Sequence, residues 1–187
     1  MHIIGSDEAL KGDTFGGIVV AAVKADENIR KKLIDLGVRD SKTLTDKIIL
    51  SLAPQIEKIA QCHIKSVFPK TYNLVSDDLT ALLNALHREC FIALKPGKHI
   101  IDKFPGCTVG DIMETHAESK YPEVAAASIL ARAHALKQMD TLSKRAGFTI
   151  PRGSTHVTDA LKQLKQSSLP PEEFVKLHFK NVKPFFA

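Results

Sequence analysis

The chain has 187 residues, 44% of them hydrophobic and 25% charged, with a formal net charge of +5. That length suits one ordinary domain with a real core, and the balance is that of a globular protein rather than a disordered or fibrous one. No apolar run reaches the roughly 20 residues of a membrane span, and no secretory signal pattern opens the sequence, so a cytoplasmic location is expected. Three scattered cysteines, Cys62, Cys90 and Cys107, form neither a disulfide framework nor a zinc clip. The positive charge favours polyanions such as nucleic acid. The absence of tryptophan and the presence of only two tyrosines argue against a stacking platform for single strands.

Residues 2–8 and 15–23, rich in Ile and Val, predict two strands joined by a turn containing Gly12 and Asp13. Helices are predicted over 28–36 and 44–60. Thr45 is the candidate N-cap of the second, and Pro54 is expected to start, kink or end a turn within it. Residues 61–68 alternate as a strand does. A helix over 77–94 carries Leu79, Leu82, Leu83 and Leu86 on one stripe. Residues 98–104 predict a strand, with another possible over 108–114. The clearest helix, over 123–146, has Ile129, Leu136 and Met139 on a stripe and Gly147 at its end. Its small patch, Ala125 to Ser128, admits a close neighbour. Helices are further predicted over 157–167 and 171–176. The order suggests an α/β layer fold with a mixed sheet.

Two predicted strands end in acids, Asp7-Glu8 after "HIIGS" and Asp102 after "HII". A carboxylate there sits at the lip of a sheet, where it can build a site, cap a helix or hold a turn. Successive side chains of a strand point to opposite faces, so Asp7 and Glu8 cannot both chelate one ion from a regular strand. Further ligands must come from elsewhere, with Asp102 and Glu118 as candidates. Two carboxylates about 4 Å apart repel by roughly 4 kcal/mol at an effective dielectric of 20, so such a cluster needs a cation. Oxygen ligands alone point to Mg²⁺ or Mn²⁺ rather than zinc.

Six segments, in order, carry a resemblance to a known family. "SDEALKGDTFGGIVVAA" is similar to "DEVGTGDYFGPIVVAA", "LGVRDSKTLTDKII" to "GVKDSKKL", and "ETHAESKYPEVAAASILAR" to "KAESKYxxVAAASIxAR". "YNLVSDDLTALLNALH", "IIDKF" and "FVKLHFKN" match in kind. The chain resembles the type 2 ribonucleases H over essentially its whole length, ribonuclease HIII more than HII. The resemblance implies a ribonuclease H-like fold, a mixed five-stranded sheet flanked by helices, with C-terminal helices. It implies an endoribonuclease that hydrolyses the RNA strand of RNA/DNA hybrids, leaving a 5′-phosphate and a 3′-hydroxyl. Two Mg²⁺ or Mn²⁺ ions per site would be held by Asp7, Glu8, Asp102 and Glu118, the family's four acids. Lys11 and Gly12 match the loop that approaches the ribonucleotide in the family, Ser41 and Lys42 a loop that holds nucleic-acid backbone, and Lys120 and Tyr121 belong to the "ESKY" motif, where the resemblance leaves open support of Glu118 or contact with phosphate. Arg132, on the long helix, is as consistent with a structural role as with a substrate contact, and His87 and His178 are expected to be packing or surface residues.

Three departures set further expectations. Leu10 stands where the family's loop has glycine, and leucine is expected to resist a positive φ or a close backbone approach there. That leaves two other readings open: a nucleic-acid-binding protein of this fold with little activity, or a metal nuclease with another nucleic-acid substrate. Gly153 is followed by Ser154 where HII has a Gly-Tyr pair, so strong cleavage at single embedded ribonucleotides is not expected. The substrate-binding domain that precedes the catalytic domain in HIII is not expected, leaving one catalytic domain over 1–187. A monomer is expected.

Overall fold

In the computed structural model, residues 2–75 and 78–186 are described. The chain order is β1 (Ile3–Ala9), β2 (Ile18–Ala25), α1 (Glu27–Asp35), α2 (Asp46–Ile59), β3 (Gln61–Val67), α3 (Pro69–Val75), α4 (Leu79–Leu94), β4 (Lys98–Asp102), β5 (Ile112–Glu114), α5 (Pro122–Ala146), α6 (Thr158–Gln166) and α7 (Lys183–Phe186). The five strands form one mixed sheet in the order β3-β2-β1-β4-β5, with β4 parallel to both β1 and β5.

Local sequence explains most helix starts. The Asp26 carboxylate accepts from Ile29 N at 2.8 Å and the Asp78 carboxylate from Ala81 N at 3.0 Å. Thr45 caps α2 as predicted, accepting from Ile48 N at 3.4 Å. Pro54 lies inside α2 without ending it. The carbonyl its missing N–H would have served belongs to Leu50, an exposed residue on the solvent side of the helix. Gly147 stops α5 with φ 78°, and its N–H donates to Ser143 O at 3.0 Å.

The structure corrects several boundaries. A helix over Pro69–Val75 was not predicted, although Pro69 stands at its first position, where proline is preorganised for a helix. Position 77, where the following helix was predicted to begin, lies outside the described residues. The strand expected over 108–114 is confined to Ile112–Glu114. The helix expected over 171–176 is a single 3-10 turn, Pro171–Glu173, because the next residues leave the helical path to bridge Phe15 through Val175.

The chain divides into two compact units. The first holds Met1–Ala9, Val20–Lys65 and Asp78–Ala133. In it α4 packs on β1, and Ile100, Ala117 and Val124 form a buried cluster beneath β4. A Cβ at Gly5 would lie 2.4 Å from Glu123 C and Val124 N, so only glycine lets β1 approach the start of α5 this closely.

The second unit holds Leu10–Val19, Ser66–Asp77 and His134–Ala187. Its 10–16 segment is tied down by backbone bonds from Thr14 N to Gly153 O (2.9 Å), Gly16 N to Phe174 O (3.0 Å) and Lys176 N to Thr14 O (3.0 Å). Tyr72, Phe15 and Phe174 fill its core.

Candidate active site

In the first unit, β1 runs as a regular strand through both of its acids. Gly5 meets the start of α5, and Asp7, two residues on, accepts a hydrogen bond from Ser128 of the same helix. Ser6 and Glu8 turn the other way, toward His87 of α4. The alternation expected of a strand therefore separates Asp7 from Glu8.

Strand pairing supplies Asp7 with a second neighbour. Ser6 pairs with Ile101 in the parallel β1–β4 register, so Asp7 and Asp102 stand one step further along adjacent strands. Asp102 pairs in turn with Glu114 of β5. Three acids thus form a row across three strands on one face. Asp102 Oδ1 accepts from Ala117 N at 3.1 Å, anchoring the 3-10 turn Ala117–Ser119 that carries Glu118. Glu118 is only 6% exposed, and its Oε2 is buried with no hydrogen-bond partner among the described residues. Its other oxygen lies 3.8 Å from Nδ1 of His116.

Burial pushes the Asp7 carboxyl up to about 8, the Glu8 and Asp102 charges push the same way, and hydrogen bonds from Ser128 and Glu8 N oppose them. Ionised Asp7 is therefore costly as the residues stand. Among the described residues, no three His, Cys, Asp or Glu side chains close into a preformed metal cage. The charge pattern nonetheless fits a cation: a buried carboxyl destabilised by two like charges and a buried carboxylate oxygen left without a donor. A divalent ion with oxygen ligands would relieve both.

The expected substrate contacts divide by environment. Ser41 is buried, and its hydroxyl bonds that of Ser128 at 2.7 Å, forming a link from the 3-10 turn Ser41–Thr43 through α5 to Asp7. Asp40, not Ser41, caps that turn, accepting from Lys42 N at 2.9 Å. Lys42 is exposed. Arg132 donates to Ser41 O and pairs with Asp46 at 2.9 Å, which ties the 3-10 turn to the start of α2. Lys120 Nζ lies 2.6 Å from Glu114, and the Tyr121 hydroxyl donates to the same carboxylate at 3.3 Å. A groove of about 330 Å³ beside Glu118 is lined by Arg39, Asp40, Thr43 and Tyr121, among others.

In the second unit, Lys11 is half-buried and Gly12 is exposed with open space about it. Leu10 departs from expectation. It adopts φ 67°, the left-handed conformation that leucine was expected to resist. Its side chain is 7% exposed, and its carbonyl accepts from Asp13 N at 3.2 Å and from Lys176 Nζ at 2.9 Å. Burial and these bonds hold the strained backbone in place.

Sequence reasoning missed four contributors. Glu114 stands in the acidic row, Lys176 braces the loop, and Ser6 and His87 lie behind Glu8. His87 is not only a packing residue as expected. It stacks on Phe104 at 5.5 Å, but it also bonds Ser6 and faces Glu8. Its place in the buried stripe with Leu83, Leu86 and Cys90 was the available signal. His178 does pack, stacked on Tyr72 at 5.7 Å.

The family model described as Ribonuclease HII matches residues 4–182. The chain belongs to the ribonuclease HII family. Ribonuclease HIII of Limosilactobacillus fermentum (strain NBRC 3956 / LMG 18251) is 34% identical over 97% of this chain and 68% of its own length. Ribonuclease HIII of Bacillus cereus (strain ATCC 10987 / NRS 248) is also 34% identical, over 100% of this chain and 68% of its own. Bst-RNase HIII, crystallised in complex with Mn²⁺, superposes with a TM-score of 0.88 at 31% identity, covering 98% of this chain and 68% of that one. RNase HII of Archaeoglobus fulgidus, solved in a complex with PCNA, gives a TM-score of 0.82 at 27% identity over 96% of each chain. The five-stranded sheet of this ribonuclease HII family member is thus the ribonuclease H-like fold the resemblance implied, and the family cleaves RNA in RNA/DNA hybrids. No described helix is long and apolar enough to cross a membrane.

Proposed function

We propose that the chain is a metal-dependent endoribonuclease that cuts the RNA strand of RNA/DNA hybrids, leaving a 5′-phosphate and a 3′-hydroxyl. The observation that carries this reading is the adjacency of Asp7 and Asp102 on parallel strands, with the Asp7 carboxyl pushed up to about 8 by burial, Glu8 and Asp102. Asp7, Glu8, Asp102 and Glu118 would hold two Mg²⁺ or Mn²⁺ ions. Such ions, when bound, activate water as the nucleophile and stabilise the leaving 3′ oxygen. The likeness to an enzyme crystallised with Mn²⁺ supports the choice of ion.

The chain's own residues do the positioning. Ser128, backed by Ser41, orients the Asp7 carboxylate, and Ala117 N orients that of Asp102. Lys42 offers an exposed ammonium to a backbone phosphate, with its turn fixed through Ser41. Lys120 and Tyr121 are held by Glu114 in the wall beside Glu118, where the ammonium lowers the density of negative charge facing a phosphate. Lys11 and Gly12 are assigned to the ribonucleotide strand, on a loop in which Leu10 takes a left-handed φ of 67°. The net charge of +5 supports attraction of the duplex.

The test compares end-labelled RNA/DNA hybrid, double-stranded RNA, double-stranded DNA and a DNA duplex with one embedded ribonucleotide, each with Mg²⁺ and with Mn²⁺. Cutting of the hybrid, with products extendable from their 3′ ends and little cutting of the other three, is the expected result. Equal cutting of double-stranded RNA or DNA would overturn the substrate assignment.

A further inference from the structure

Behind Glu8, on the α4 side of β1, lies a buried polar chain that the reaction as described does not use. Ser6 Oγ is 2.9 Å from His87 Nδ1 and 2.7 Å from His99 Nε2. On the far side of the His87 ring, Nε2 faces Glu8 Oε2 at 3.3 Å, and both atoms are shut off from solvent. His87 is fixed by stacking on Phe104, and His99 stacks on Phe91 at 4.7 Å with an interplanar angle of 6°. The His99 backbone N–H donates to Asp111 at 2.8 Å. Neither ring is free to turn.

Proton counting gives this chain one direction. The Ser6 hydroxyl has a single proton and lies between two ring nitrogens, so it donates to one and accepts from the other. Burial, with His87 nearby, pushes the His99 imidazole down to about 4, so His99 is neutral near pH 7. If Ser6 donated to His99, His87 would give its Nδ1 proton to Ser6. With its one proton on Nδ1, the His87 ring would then turn a bare Nε2 lone pair toward the Glu8 carboxylate, two acceptors in contact and out of water. The reverse order sets no two acceptors against each other: His99 Nε2–H donates to Ser6, Ser6 donates to His87 Nδ1, and the His87 Nε2 proton is turned toward Glu8 Oε2, 3.3 Å away and outside hydrogen-bond geometry.

We propose that His87 is a positioning residue for Glu8: locked in its Nε2–H tautomer by Ser6 and His99, it fixes the orientation of the Glu8 carboxylate. The arrangement matches the way metal-bearing carboxylates are held by hydrogen bonds from behind. The inference rests on the reading of Glu8 as one of the catalytic acids.

The tautomers are read directly by long-range ¹H–¹⁵N correlation of histidine side chains in the folded, metal-free protein. Both His87 and His99 are expected as Nε2–H forms, and a neutral His87 carrying its proton on Nδ1 overturns the proposal. Kinetics supply the second readout, using hybrid cleavage with Mn²⁺. His87→Leu is expected to lower kcat at least ten-fold while KM stays within two-fold. His87→Gln, whose amide nitrogen stands where Nε2 was, is expected to recover a substantial part of that loss. A kcat for His87→Leu within two-fold of wild type overturns the proposal, as does a His87→Gln no better than His87→Leu. Glu8→Gln separates the two claims. If it cleaves as wild type does, the assignment of Glu8 fails. If it is inactive while His87→Leu is unaffected, only the inference about His87 fails. Should His87→Leu not fold, the tautomer measurement on the wild type decides.

Discussion

Leu10 holds a backbone φ of 67°, and its carbonyl oxygen accepts a hydrogen bond from the buried ammonium of Lys176 at 2.9 Å. A residue with no ease in the left-handed region is thus pinned by a residue that rarely goes inside. Lys176 is 0% exposed and also reaches the carbonyl of Asp13, with the rings of Tyr72 and Phe179 each 5.3 Å from its nitrogen. The bracing explains how leucine is held in this left-handed turn.

Replacing Leu10 by glycine sets two effects against each other. The relief of left-handed strain is worth about 1–2 kcal/mol. Removing a nearly buried leucine side chain costs about 2–5 kcal/mol through lost burial and the cavity left behind. Packing outweighs strain, so Leu10→Gly is expected to be destabilised by about 1–3 kcal/mol in denaturant unfolding. Unchanged or increased stability would show that strain dominates.

Burial pushes the Lys176 ammonium down to about 7 from its ordinary 10.5, with the Asp13 charge opposing the shift. Between these values the unfolded chain binds more protons than the folded one, so this residue makes stability rise with pH across that window, while below about 7 its cost is fully present. Lys176→Met removes the titration. The stability of wild type relative to Lys176→Met is expected to climb from pH 7 to pH 10, by no more than about 1.4 kcal/mol per pH unit. Urea midpoints measured over that range check it, and parallel curves would contradict it.

Asp7 is strained in the opposite direction: burial and the charges of Glu8 and Asp102 push its carboxyl up to about 8. Without divalent metal, Asp7→Asn is expected to raise stability by about 1–3 kcal/mol while abolishing cleavage. Mn²⁺ at 100 times its Kd is expected to stabilise the wild type by about 2.7 kcal/mol, and Asp7→Asn by much less. Thermal melts with chelator and with Mn²⁺ measure both. Equal stabilisation of the two proteins would separate the ion from Asp7.

Gly5 is where the strand bearing the acids meets α5. A Cβ there would fall 2.4 Å from two backbone atoms, so neither side can yield by a rotamer change. Gly5→Ala is expected to cost about 3 kcal/mol, at the upper end for overpacking, and to lower cleavage by moving Asp7 off Ser128. An alanine variant as stable as wild type would mean that β1 and α5 part easily.

The parts legible in the sequence are those set by local periodicity. The alternation of β1 required Asp7 and Glu8 to face opposite ways, and they do, toward Ser128 and His87. Thr45 and Gly147 marked the ends of their helices through chemistry contained within a turn. The illegible parts depend on pairs distant in sequence. Ser6 and His87 are 81 positions apart, and nothing in the stripe of α4 indicates that a buried histidine there meets a serine on β1. Lys176 has backbone carbonyls as its partners, and a carbonyl leaves no mark on the sequence. Glu114 joins the acidic row only through the β4–β5 register, which a three-residue strand does not announce.

The central claim is that Asp102, beside Asp7 at the sheet's lip, belongs to a metal site that cuts RNA in a hybrid. The most direct measurement is cleavage of an end-labelled RNA/DNA hybrid by wild type and by Asp102→Asn, with Mg²⁺ or Mn²⁺ and with chelator, alongside circular dichroism of both proteins. Metal-dependent cutting by the wild type and none by Asp102→Asn is expected, with both equally folded. A wild type that binds the hybrid and leaves it intact with either metal, or an Asp102→Asn variant that still cuts, would contradict it.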